Sequence, residues 1–138
     1  MHVQPYLNFD GSCAEALDFY KKTLGAEINM MMRFADSPTP PDPGMVPPGS
    51  EDKIMHAQFM IGASTIMASD GRCTGKPMFQ GVSLSVSADD DSSAERMFAE
   101  LAQGGQVQMA MTTTFFAARF GMVADKFGVS WMIISYPK

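Results

Sequence analysis

Apolar and polar residues alternate from the start of the chain, with Val3, Leu7 and Phe9 on one side and Gln4, Tyr6 and Asn8 on the other. A two-residue period marks a half-buried strand. Asp10-Gly11 reads as a turn. Ser12, followed three residues later by Glu15, has the form of a capping box, so a helix is predicted over 12–24. Ala16, Phe19, Tyr20 and Leu24 recur at helical spacing within it, and Gly25 suits its end. Strands follow over 27–34, 54–61 and 65–70, the last two forming a hairpin across Gly62-Ala63. In the second half, Val82, Leu84 and Val86 alternate with Ser83, Ser85 and Ser87 as a strand. Asp89, Asp90 and Asp91 precede a helix over 92–103, where negative charge complements the exposed N–H groups, and Gly104-Gly105 ends it. Strands over 107–111, 113–123 and 129–136 complete the chain, the last two separated by a turn at 125–128.

The element order is β-α-β-β-β, twice. Ala14-Glu15 and Gly25 also recur 80 positions later as Ala94-Glu95 and Gly105, so a tandem duplication is the reading. The fold class is α+β: two tandem βαβββ modules, about 1–71 and about 79–138, within a single domain. Each module is expected to be a curved antiparallel sheet with its helix on the outer face, leaving the other face to wall a cleft. The mixed side of each strand belongs to that cleft. It comprises Gln4, Tyr6 and Asn8 on the first strand, and Gly81, Ser83 and Ser85 on the fifth. A two-residue hairpin turn pairs His56 with Ser69, Gln58 with Met67 and Met60 with Thr65, and cross-strand partners share a face. Trp131, on the side opposite Met132, is assigned to the core.

Six of the nine prolines (Pro38, Pro40, Pro41, Pro43, Pro47 and Pro48) fall within 35–50, which excludes helix and interior strand there. So long a connection is either a functional lid or a linker. The 138 residues carry a net charge of −5 without a Lys/Arg cluster, which argues against nucleic acid and anionic membranes as partners. No signal sequence or membrane span is evident, and a cytoplasmic location is expected. Cys13 and Cys73 lack metal-site or redox spacing and are expected to be free thiols. Cys13, at a helix start, is either an activated thiol or a small buried residue, the second being favoured. Fourteen methionines are the compositional excess. Those in strands suit loose apolar recognition or plain gap-filling in the core.

The blocks Gln4-Pro5-Tyr6-Leu7-Asn8-Phe9-Asp10-Gly11, Ala14-Glu15-Ala16-Leu17, Met55-His56-Ala57, Met67-Ala68-Ser69-Asp70 and Phe120-Gly121-Met122-Val123-Ala124-Asp125-Lys126-Phe127-Gly128 resemble the vicinal oxygen chelate superfamily. The branch is the PhnB-like one, related to glyoxalase and bleomycin-resistance proteins. The resemblance implies paired βαβββ modules and a homodimer. It also implies a divalent metal held by side chains of the first and last strand of each module. Those positions fall on Gln4 or Pro5, the alternation favouring Gln4, and on Met67, Gly81 and Met132. Two thioethers and a missing side chain are poor donors for such an ion, so no metal and no cofactor are expected. Some members of this branch are labelled ubiquinone-precursor methyltransferases, but no glycine-rich cofactor loop follows a strand here, and the chain is short for such a fold.

The expectation is therefore a small-molecule-binding protein that has lost the metal site. Its ligand-binding residues would be Gln4, Tyr6, Asn8, His56, Gln58, Met67, Ser69, Ser83, Phe116, Arg119 and Met132. The alternative is a lyase- or isomerase-type enzyme, with His56 as base or with a rearranged divalent-metal site. His56 also has a plain reading, as a histidine hydrogen-bonded within the sheet, Ser69 being one partner within reach. Phe115, Phe116 and Arg119 form either a clamp for a planar or anionic ligand at the cleft mouth or, for Arg119, a surface charge. Asp125 is expected to close the last turn.

Overall fold

The computed structural model describes residues 1–42 and 44–137, so Pro43 lies outside the described residues. The chain divides into two compact units, Met1–Met78 and Phe79–Lys138. The first contains β1 (Tyr6–Asn8), α1 (Cys13–Leu24), β2 (Glu27–Arg33), β3 (Ile54–Ile61) and β4 (Ser64–Ser69). The second contains β5 (Leu84–Ser87), α2 (Asp91–Leu101), β6 (Gln106–Thr112), β7 (Arg119–Ala124) and β8 (Ser130–Ser135). Strand order is β1-β4-β3-β2 in one sheet and β5-β8-β7-β6 in the other. The βαβββ topology thus occurs twice in an α+β fold.

The sheets are mixed, not antiparallel throughout. β3 runs antiparallel to both β2 and β4, but β1 runs parallel to β4, and β5 likewise to β8. Period-two alternation fixes which face a residue occupies and carries no information on strand direction. The helix covers one face of each sheet. In the first unit, Leu7, Ala57, Phe59, Ile66 and Ala68 are buried against α1, where Ala16, Leu17 and Tyr20 are buried as well. Tyr20 stacks on Phe59 with ring centroids 6.1 Å apart. In the second, α2 packs on β7 and β8 over Val123, Trp131 and Ile133. Gly121 permits that approach, because a methyl there would stand 2.5 Å from Met111 Sδ and 2.8 Å from Phe98 Cε2.

Helix α1 does not start with a capping box. The Ser12 side chain makes no cap bond, and its hydroxyl donates to the Phe9 carbonyl instead. The cap comes from far along the chain: buried Asp70 accepts from the N–H groups of Gly11 and Cys13, both at 2.8 Å. Its other oxygen accepts from Ile54 N–H at 2.8 Å. In α2, Asp90 is a local N-cap that accepts from Ser93 N–H. The 80-residue echo does not survive as a register either. Ala14 is the second residue of α1, whereas Ala94 is the fourth of α2. Gly25 takes the left-handed conformation beyond α1, but beyond α2 that role falls to Gly104, not Gly105.

Three predicted strands shorten. β1 begins at Tyr6, leaving Val3 and Gln4 exposed ahead of it, and β5 begins at Leu84, which leaves Gly81 and Ser83 outside the strand. Residues 113–118 form a loop: Thr114 Oγ1 accepts from Phe116 and Ala117 N–H, turning the chain before β7. A side-chain oxygen competing for backbone donors is what makes threonine ambivalent in a strand pattern. The proline-rich connection opens with a 3₁₀ turn, Phe34–Asp36, and is pinned by Phe34 N–H to Lys53 O and Ala35 N–H to Glu51 O.

Candidate functional site: the helix-free face of the first sheet

The register places the side chains of this face. Across the Gly62-Ala63 turn, Gln58 lies opposite Met67 and Met60 opposite Thr65, as the turn length predicts. On β1, Tyr6 lies beside Met67 and Asn8 beside Ser69. On β2, Met32 lies opposite His56 and Met30 opposite Gln58. Tyr6, Asn8, His56, Gln58, Met67 and Ser69 therefore share one face, and the edge strand adds Met30 and Met32. Gln4 precedes the strand, exposed, and is not brought into this set.

His56 is bonded to Tyr6, not to Ser69. The Tyr6 hydroxyl and His56 Nδ1 are 3.0 Å apart, with ring centroids at 5.6 Å. The β3–β4 ladder gives the reason. Its last regular pair is Ala57 with Ala68, beyond which Asp70 N–H donates to the Ile54 carbonyl, so His56 and Ser69 are not direct partners. Ser69 instead donates to Asn8 Oδ1 at 3.1 Å and accepts from Gly71 N–H at 3.1 Å. The phenol is long enough to cross the intervening strand and engage one ring nitrogen, which leaves Nε2 for a ligand.

The corresponding face of the second sheet is apolar. Phe120 lies opposite Ile134 and Met122 opposite Met132, with Ser85 beside Met132. Phe120, Ile134 and Ala117 are buried in one cluster with Met122 and Met132 packed against it, and Phe116 stands edge-on over Phe120 at 5.3 Å. Period two places Ile134 on the face of Met132, and its cross-strand partner Phe120 with it. The alternation of β7 then puts Arg119 on the other face. Arg119 accordingly pairs with α2, at 3.1 Å from Glu95 Oε1 and 3.9 Å from Asp91 Oδ2, and also bonds Thr113. Phe116 and Arg119 are not brought together as a clamp. Ser83 is exposed and outside the strand.

Asp125 closes the last turn. Its Oδ1 accepts from the Phe127 and Val129 N–H groups and its Oδ2 from Trp131 Nε1, which fixes buried Trp131 in the core. Cys13 is buried and unsuited to nucleophilic chemistry: burial foremost, and then the Asp70 carboxylate, pushes its thiol well above the ordinary range. A separate cavity of about 510 Å³ lies within the proline-rich connection, lined by residues such as Phe34, Pro40, Pro41 and Pro47. None of the residues of the sheet face lines it.

The donors for a glyoxalase-type divalent ion do not fit. Gln4 is outside its strand, Met67 and Met132 offer thioethers, and Gly81 offers nothing. A hard or borderline divalent ion takes imidazole or oxygen donors. Among the described residues, no three His, Cys, Asp or Glu side chains are grouped to hold a metal.

A family model described as 3-demethylubiquinone-9 3-methyltransferase matches residues 1–134. The chain belongs to that family. Protein PA1353 from Pseudomonas aeruginosa is similar over its whole length, at 41% identity and a TM-score of 0.85, covering 100% of this chain and 99% of that one. A putative 3-demethylubiquinone-9 3-methyltransferase, PhnB protein, from Bacillus cereus follows at 27% identity and a TM-score of 0.79, covering 98% and 99%. A glyoxylase/bleomycin resistance protein/dioxygenase domain from Frankia sp. EAN1pec shares the fold of this family member, at 16% identity, a TM-score of 0.66 and coverage of 99% and 95%. No helix among the described residues is long and apolar enough to cross a membrane.

Proposed function

We propose that this family member is a small-molecule-binding protein of the glyoxalase/bleomycin-resistance type, within the vicinal oxygen chelate superfamily, that has lost the superfamily's divalent-metal site. The supporting observation is the donor set: thioethers at Met67 and Met132 and no side chain at Gly81. The helix-free sheet faces suit such a role, since one carries a few polar groups beside methionines and the other is apolar. The protein acts on this reading in the cytoplasm, as a homodimer. Methyl transfer is not part of the proposal, because no glycine-rich loop follows a strand to cradle a donor cofactor.

Elemental analysis of the purified chain is the direct test, with substoichiometric Zn, Ni and Mn expected. A full equivalent of any of these, lost in His56→Ala, overturns the reading. A thermal-shift screen then supplies a ligand, whose stabilisation is expected to fall in Tyr6→Ala. The bond between Tyr6 and His56 favours one second reading, in which His56 Nε2 is the base of a lyase or isomerase. Under that reading His56→Gln abolishes turnover while ligand binding persists.

A further inference from the structure

The same sheet face carries a second group of thioethers, beside a histidine, whose chemistry suits a different ion. Met32 is the direct cross-strand partner of His56, and Met30 lies one step along the same face, opposite Gln58. Diagonal neighbours across a strand pair are within reach of long side chains. Met30 is 38% exposed, so its thioether is reachable from solvent on this face. The histidine is also arranged as a ligand. Nδ1 is engaged by the Tyr6 hydroxyl 3.0 Å away, and a hydrogen bond on the far ring nitrogen is how metal-bound imidazoles are usually oriented; in the tautomer with the proton on Nδ1, Nε2 presents its lone pair. Thioether with imidazole is a soft donor set, and soft donors select Cu(I) over Zn(II), Mn(II) or Mg(II).

We propose that His56 Nε2 and the thioethers of Met30 and Met32 form a binding site for a soft monovalent cation, Cu(I), with Tyr6 as the residue that positions the imidazole. Met67, opposite Gln58 on the other flank, supplies a further thioether to the same face. The site requires neither a bound small molecule nor a second copy of the chain, so it stands or falls apart from the proposed function. Met31 provides an internal control. It lies between the two proposed ligands in sequence and is as exposed as Met30, at 39%, but pairs with Ala57 and so projects from the opposite face of the strand.

The test is an anaerobic titration of the full chain with Cu(I) in competition with bicinchoninate. One equivalent is expected to be retained, with affinity at least tenfold lower in Met30→Leu/Met32→Leu and in His56→Ala. Met31→Leu is expected to leave it unchanged. Leucine conserves the volume of methionine, and circular dichroism of the double variant verifies the fold. Tyr6→Phe is expected to weaken binding about tenfold without changing stoichiometry. X-ray absorption of the loaded protein should show sulfur scatterers that diminish in the double variant. Failure to retain Cu(I), equal affinity in the double variant, or a first shell of nitrogen and oxygen alone overturns the proposal.

Discussion

Asp70 and Asp125 are almost wholly buried, and each carboxylate is supplied with three donors from the chain around it. Buried charge is tolerated only when so satisfied. Asp125 was readable because its donors lie within six residues, in the turn it closes. Asp70 was not, since Ser12 offered a plausible local cap and nothing in its neighbourhood pointed 57 residues onward. Beside Asp70, Cys13 carries a consequence for pH. Its folded thiol is raised above the ordinary value of about 8.5. Above that pH the unfolded chain has lost a proton that the native state still holds, so the native state binds more protons and stability falls as pH rises. The loss from this group approaches about 1.4 kcal/mol per pH unit. Urea unfolding at pH 8 and pH 10 is expected to show a smaller alkaline loss in Cys13→Ala, superimposed on a constant cavity cost. Equal losses in the two proteins would exclude Cys13 as the source.

At the scale of elements, the helices and the β3–β4 hairpin were legible because their signals are redundant: apolar period, glycine stops and turn length agree. The starts of β1, β5 and β7 were not. Val3 and Val82 continue the alternation of their strands, and Thr113–Phe116 is made of residue types common in strands, yet none of them belongs to a ladder, and pairing rather than pattern decides where a strand begins. The same limit hid the parallel pairing of β1 with β4 and the allegiance of Arg119 to α2. Glycines near the helix ends show the difference between sequence likeness and structural role. Gly25 needs its left-handed backbone, and space around its missing Cβ is open, whereas a methyl on Gly105 would run into the Ala124 carbonyl oxygen. Gly25→Ala is expected to cost about 1 kcal/mol, the usual strain of that conformation. Gly105→Ala should cost about 2–3 kcal/mol, because backbone must move to admit it. Denaturant midpoints for the two variants check the order.

For the molecule as a whole, the duplication is legible as topology, each unit having the same strand order, its own helix and its own core. The candidate face was legible in part: the hairpin register placed Gln58 with Met67, while the Tyr6–His56 bond depended on an interruption of the ladder that no pattern announces. Two cores imply that local damage stays local. In Asp70→Ala, which strips the acceptor from Gly11, Cys13 and Ile54, amide exchange is expected to accelerate in α1 and β3 before α2 and β7. Uniform acceleration across both units would show a single cooperative block. The position of that carboxylate also sets an order in time. A short helix nucleates poorly on its own, and α1 takes its start signal from the far end of β4. A ribosome must therefore have made the whole hairpin before α1 can be completed, although α1 emerges ahead of that hairpin. Helix α2, with Asp90 one residue ahead of it, has no such wait.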